Sequence, residues 1–273
     1  MSVVASVAHR GAPGFLPSLL ENVAQFVKPN HTCVFTWANL TNTSFRTVFV
    51  EPQGSIQKQP ALILLRPLRC AMYIANLWPH YNASRVTIVL VAANMRFHRP
   101  CNFVPSTFAL EPMGSHDWWY DDVRRRFKAP PRYGGARWNR SIRFVLWSRG
   151  VFMPHFAQVL RSTNVTPWKP TPFLKMPHEG SYYPLSDLMA ASGPIQRLLA
   201  SVPWVAQYPE EALLPTWIAQ QRAAAVPTMA RPLMCIRVFT KNRSVTYEDV
   251  LPAISSVQDV CALKMVGREH LFS

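Results

Sequence analysis

The chain has 273 residues, 49% of them hydrophobic, and carries 29 basic against 14 acidic residues, a formal net charge of +15. That length and apolar content suffice to bury a core and exclude a disordered tail, while the charge points to a polyanionic partner, nucleic acid first. Arg outnumbers Lys by 22 to 7, which suits bidentate pairing with phosphate; 25 prolines against 10 glycines argue against long regular helices and Gly-rich phosphate cradles.

In chain order, the first 20 residues lack acids until Glu21 but hold a single Arg, Arg10, and read as a weak organelle-targeting signal. No basic n-region precedes a continuous apolar core there, so the segment fits a secretory signal less well. The spacing of Phe15, Leu16, Leu19, Leu20, Val23, Phe26 and Val27 predicts an amphipathic helix, stopped by Lys28-Pro29. His31 to Ala38 reads as a strand, Asn39 to Ser44 as a polar loop, and Ser44 to Val50 as the start of a helix or an extended stretch. Ala61 to Leu65 is an apolar run expected to be a strand covered on both faces; Cys70 to Trp78 reads as a short helix and Arg85 to Ala92 as a third strand. A mixed α/β architecture around a buried sheet follows for this part.

Seventeen prolines lie between Pro100 and Pro232, so helices there are expected to be short: Asp117 to Phe127, Pro154 to Arg161, Pro194 to Ser201 and Pro209 to Ala225. A last strand is expected at Leu233 to Thr240 and a last helix at Thr246 to Leu263. No run approaches the roughly 18 to 20 apolar residues of a membrane span.

Cys33, Cys70, Cys101, Cys235 and Cys261 are odd in number and include no C-x-x-C pair, so neither a disulfide framework nor a four-cysteine zinc site is expected. His98 and Cys101 could offer two metal ligands, but no second pair stands at zinc-finger distance, and no metal or cofactor is assigned. Seven N-x-S/T matches, at Asn30, Asn39, Asn42, Asn82, Asn139, Asn164 and Asn242, imply a glycoprotein only in a chain that enters the secretory route. Without a signal-peptide pattern they are read as chance. Asp121-Asp122 and Glu210-Glu211 sit in no catalytic motif, and neither an H-E-x-x-H, a G-x-S-x-G nor a phosphate-binding loop pattern occurs; the chain is read as a non-enzyme.

The densest signal lies between Val123 and Gly150. Arg124, Arg125, Arg126, Lys128, Arg132, Arg137, Arg140, Arg143 and Arg149 occur there with no acid, interleaved with Phe127, Tyr133, Trp138, Phe144 and Trp147. Guanidinium groups beside flat rings suit RNA backbones and unstacked bases. The nine cations with Tyr133 and Trp138 are the candidate RNA-binding residues; the bland alternative is a solvated basic face. Pro130-Pro131 and Gly134-Gly135 make the segment an irregular arm, so shape and phosphate recognition are expected.

The stretch Arg10-Gly11-Ala12-Pro13-Gly14-Phe15-Leu16-Pro17-Ser18-Leu19-Leu20-Glu21-Asn22 resembles the start of the mitochondrial large-subunit ribosomal protein forty-three family, in which an R-G-x-P element leads into a helix bearing F-L-x-S-x-L-x-N. The spacing from Pro13 to Phe15 is one residue shorter here. The resemblance continues through Thr32 to Ala38, an R-x-F-V-E element like Arg46 to Glu51 with one extra residue, the apolar run Pro60 to Leu65, and Arg69-Cys70, covering residues 9–92. It implies a thioredoxin-like domain, shared with a small-subunit mitoribosomal protein and a complex I accessory subunit, that is structural and carries no redox pair. The family would continue a helix at Glu51-Pro52-Gln53-Gly54, where this chain breaks it.

The expectation is therefore an α/β chain with a thioredoxin-like domain at residues 1–127 and a Pro- and Arg-rich extension of short helices at 128–273. An alternative placement has a long insertion, with Leu233 to Leu263 returning the domain's last strand and helix. The function implied is a structural constituent of the mitochondrial large ribosomal subunit in the matrix, binding ribosomal RNA and neighbouring ribosomal proteins. No DNA, no membrane insertion, no homo-oligomer and no cofactor are expected. The rivals are an accessory subunit of a respiratory-chain complex and an enzyme of unknown type.

Overall fold

Ser2–Ala8 (β1) is the middle strand of the main sheet in the computed structural model. The structure describes residues 1–9, 14–52, 62–103, 111–112, 174–175, 182–201, 235–239 and 261–266, with positions 214, 218, 247, 248 and 251. Every residue from Ser2 to Val7 is buried. A run of small side chains such as SVVASVA shows no alternation because both faces are covered, and small residues let helices approach closely. Cleavage within this stretch would remove the centre of the sheet.

From β1 the chain enters helix α1, Phe15–Phe26, and returns as strand β2, His31–Thr36, parallel to β1 with Val4 opposite His31. The helix follows its apolar stripe, burying Leu16, Leu19 and Val23. Pro17 lies in the first turn, where a missing N–H costs nothing. At the other end Lys28 takes a left-handed φ of 52°, and its N–H donates to the Val23 carbonyl, 3.2 Å away, the position at which helices usually place glycine. Asn22 fixes the helix to the strand β5, Met95–Phe97: its Nδ2 donates to the Phe97 carbonyl (2.9 Å) and its Oδ1 accepts from the Phe97 N–H (2.8 Å).

Strand β3, Arg46–Val50, pairs parallel with β2 and is the outer strand on that side, so Ser44 to Val50 resolves as extended, not helical. The expected strand at 61–65 is instead the first turn of helix α2, Leu62–Leu77, which also absorbs the shorter helix expected from Cys70. Leu64, Leu68, Ala71 and Ile74 are buried at helical spacing, a period that Pro67 obscured in the sequence. Helix α2 leads through a short 3-10 turn, Ala83–Arg85, into β4, Val86–Ala92, parallel to β1 on its other side. These four strands thus run parallel in the order β3-β2-β1-β4.

Two strand–helix–strand crossovers cover opposite faces. Val3, Ala5, Val7, Val34, Val89 and Val91 pack with α1, Met95 and Phe97 on one side. On the other, Cys33 of β2 is joined by a disulfide to Cys70 of α2. The later region contributes to this body: strand β8, Tyr182–Pro184, pairs antiparallel with β4, and helix α3, Leu185–Ser201, packs against α2. This helix begins nine residues before the expected Pro194, which lies inside it. Residues 182–184 thus supply a fifth strand of the main sheet.

Strand β9, Cys235–Phe239, appears where expected, but the last helix does not reach Leu263: strand β10, Ala262–Val266, pairs parallel with β9 and antiparallel with β5. Positions 247, 248 and 251 are helical. A disulfide between Cys101 and Cys261 ties this second sheet beside α1, so the expectation of unpaired cysteines is corrected twice. Pairing could not be read from an odd count of widely spaced cysteines, because the partners are 37 and 160 residues apart and are brought together only by the fold. Two further short strands, β6 (Glu111–Pro112) and β7 (Leu174–Lys175), pair with each other. No described helix is long and apolar enough to cross a membrane.

Candidate functional site at the carboxyl edge of the sheet

The carboxyl ends of β1, β2 and β3 and the first turns of α2 bring together His9, Thr36, Trp37, Glu51 and Arg66. In open α/β sheets this is the end at which ligands are bound, because helix N-termini and loops converge there. His9 follows β1, is buried, and donates its backbone N–H to the Phe35 carbonyl at 3.0 Å. Its Nδ1 lies 3.5 Å from the Thr36 hydroxyl, and its ring tilts against Trp37 with centroids 6.0 Å apart. The Thr36 hydroxyl accepts from the Ala38 N–H at 3.0 Å, and the Thr36 carbonyl accepts from the Glu51 N–H at 2.9 Å, so the ends of β2 and β3 are held in register.

Below them lies a buried ion pair. Arg66 Nε donates to both Glu51 carboxylate oxygens at 3.1 Å and its Nη2 donates to Oε2, the two side chains being 4% and 7% exposed. The guanidinium also stands 5.9 Å from the Phe35 ring centroid, while that of Arg69 stands over Phe49 at 5.1 Å. Phe35 and Phe49 are stacked at 4.6 Å. The fork geometry of Arg, its flat face on an aromatic ring and the low local dielectric make this a pair that holds elements in place. It does not resemble a nucleophile with an adjacent base, and no other carboxylate is described within it.

Arg66 carries a signal in the sequence: it interrupts an otherwise apolar stretch, and a charge inside such a run implies a buried partner. His9 carried no such mark.

At the opposite end of the sheet, His31 Nε2 lies 3.0 Å from the Thr47 hydroxyl, with the rings of Tyr73 and Trp78 against it. Burial lowers the His31 pKa below its usual 6.5, and burial followed by the Arg99 charge lowers that of His98. A histidine held neutral in the fold but free to charge when unfolded makes the unfolded state bind more protons. The contribution of both residues to stability is therefore intact above about pH 6.5 and is lost as pH falls through and below that value. Expected is a falling melting temperature between pH 7 and 5, reduced in His31→Gln and His98→Gln; melting curves with the same pH slope in wild type and both variants would refute this.

Two further features are basic. An open depression of about 260 Å³ beside β3 is lined in part by Leu20, Lys28, Phe45 and Arg46. Arg96 stacks over Tyr247 at 4.5 Å and forms an exposed ion pair with Glu248 at 3.3 Å, worth little in water. Arg124, Arg125, Arg126, Lys128, Arg132, Tyr133, Arg137, Trp138, Arg140, Arg143 and Arg149 all lie outside the described residues. Among the described residues no group of three His, Cys, Asp or Glu side chains could hold a metal ion. The chain matches no protein-family model and no curated protein.

Proposed function

We propose that the protein is a non-enzymatic, polyanion-binding structural protein, in which the α/β body anchors the chain and the segment from Arg124 to Arg149 lies along phosphates. The observation that carries this reading is the run of nine cations without an acid, since like charges of that density repel unless a polyanion neutralises them. The resemblance makes that polyanion the RNA of the mitochondrial large ribosomal subunit, with neighbouring ribosomal proteins as further partners and the matrix as the compartment. The thioredoxin-like assignment rests on the resemblance alone; the strand order 3-2-1-4 is that of a doubly wound α/β sheet.

If six to nine phosphates are contacted, the full-length protein should lose about 10³ to 10⁵ in affinity for a ribosomal RNA fragment between 50 and 200 mM salt. Arg124→Ala, Arg125→Ala and Arg126→Ala together should flatten the salt slope by about 2 to 3 without changing sequence preference. An affinity indifferent to salt would remove the reading. Co-sedimentation of the native protein with a respiratory complex in place of ribosomal RNA would transfer it to the rival.

A second reading is favoured by the disulfides Cys33–Cys70 and Cys101–Cys261. Two structural disulfides belong to an oxidising compartment, where thiols are not kept reduced. On this reading the same positive charge faces an acidic glycan or an anionic surface outside the reducing interior of the cell.

A further inference from the structure

We infer that this chain is an N-glycoprotein, with one oligosaccharide on Asn82 and one on the loop that carries Asn39 and Asn42. The inference rests on the second reading, that the chain matures in an oxidising compartment. Its first ground is numerical. The chain has 11 asparagines and 33 Ser or Thr among 273 residues, so one or two N-x-S/T matches are the chance expectation; there are seven. Two thirds of the asparagines standing two residues before a hydroxyl side chain is a bias of sequence, and it must come from a selected use of the asparagine, of the hydroxyl, or of both.

The fold then tests whether that use is structural. All four described asparagines of the set, Asn30, Asn39, Asn42 and Asn82, are exposed, and none lies within a helix or strand. Three have a local task performed by the carbonyl oxygen. Asn30 Oδ1 accepts from the Val3 N–H at 2.9 Å, Asn42 Oδ1 from the Val48 N–H at 2.7 Å, and Asn82 Oδ1 from the Ser84 N–H at 3.1 Å. None of these bonds uses the amide nitrogen, the atom that a glycan takes. They also explain an asparagine without explaining the hydroxyl two residues on. At Asn82 that hydroxyl donates to the same Oδ1 at 2.7 Å, drawing electron density from the amide and leaving Nδ2 as the outward group. Among the described residues Asn39 has no such task, and it shares the loop 37–45 with Asn42.

The reaction needs one co-reactant, a polyisoprenyl-pyrophosphate oligosaccharide. Asn Nδ2 attacks the anomeric carbon, the bond from that carbon to the pyrophosphate oxygen breaks, and the displaced amide proton passes to base. Neither oxidant nor reductant is involved. In the folded chain a glycan on the 39–42 loop would stand beside β3, the outer strand of the sheet, along which the loop already lies through the Asn42–Val48 bond and the Thr43–Arg46 bridge. An outer strand is the template for unwanted pairing between chains, and a hydrated polymer over it blocks that pairing.

The test uses the native protein, isolated from its own cells through a C-terminal tag. Treatment with peptide-N-glycosidase in heavy-oxygen water is expected to sharpen and speed up its gel band and to convert Asn82, and Asn39 or Asn42, into heavy-oxygen aspartate in mapped peptides. Ser84→Ala, which keeps the asparagine, should remove one glycan, as should Thr41→Val with Ser44→Ala. Unmodified Asn39, Asn42 and Asn82 in the native protein would overturn the proposal. Alkylation of thiols before and after reduction of the same sample separates the two failures. Four protected cysteines with bare asparagines sink the glycans alone, whereas free cysteines with bare asparagines sink the compartment reading with them.

Discussion

Reduction of the Cys101–Cys261 disulfide is expected to have the largest single effect on this chain's stability. Its partners are 160 residues apart, and in the chain-entropy model opening a loop of that size returns about 5 kcal/mol of disorder to the unfolded state; the 37-residue separation of Cys33–Cys70 corresponds to about 4 kcal/mol. Native domains are stable by roughly 5 to 15 kcal/mol, so losing both approaches the whole margin. The location sharpens the expectation. Cys261 directly precedes β10, whose antiparallel partner β5 comes from a distant part of the chain, so this crosslink is what keeps a long Pro-rich excursion from separating the two halves of one sheet. Cys101→Ser should lower the melting temperature well beyond Cys235→Ser, and a reducing agent should reproduce the drop in wild type. Equal melting with and without reductant, with all thiols shown to be free, would mean that neither bond supports the fold.

The second large effect is expected at Glu51. Truncation to alanine leaves the Arg66 guanidinium buried without its counter-ion, a situation that costs about 3 to 5 kcal/mol. Glu51→Ala should accordingly be far more harmful than the removal of an exposed partner such as Glu248, whose pairing with Arg96 is screened by water. Replacement of both partners, Glu51→Leu with Arg66→Met, should recover most of the loss, since the penalty comes from the orphaned charge more than from the missing attraction. Urea denaturation of the three variants separates these terms. A double replacement as damaging as Glu51→Ala would show that the pair does more than hold the end of β3 against α2, and would direct attention to a ligand at the carboxyl edge.

Helix α1 and strands β2 and β4 were legible because their apolar residues recur at 3.6-residue spacing or as short β-branched runs, and both signals are local. Asn22 also gains a physical meaning here: it is the residue that locks α1 to Phe97 through two hydrogen bonds. Strand β1 escaped because full burial on two faces erases alternation, and helix α2 was misread because ALILL is equally at home in either state until the buried positions further along, Leu68, Ala71 and Ile74, are counted with it. At the candidate site, the R-x-F-V-E-like element ending in Glu51 was visible in the sequence, whereas its partner Arg66 was not, since nothing local connects residues 15 apart across a crossover.

Charge, the acid-free basic run, the excess of N-x-S/T matches and the α/β class are properties of the amino-acid order itself, because each depends on residue types or near neighbours. Strand order, the two cysteine pairings, the Glu51–Arg66 pair and the return of residues 182–201 to the main sheet were decided only by the tertiary structure. These join positions far apart along the chain, and the free energy that selects such contacts is that of burying the whole set at once, which no window of sequence contains.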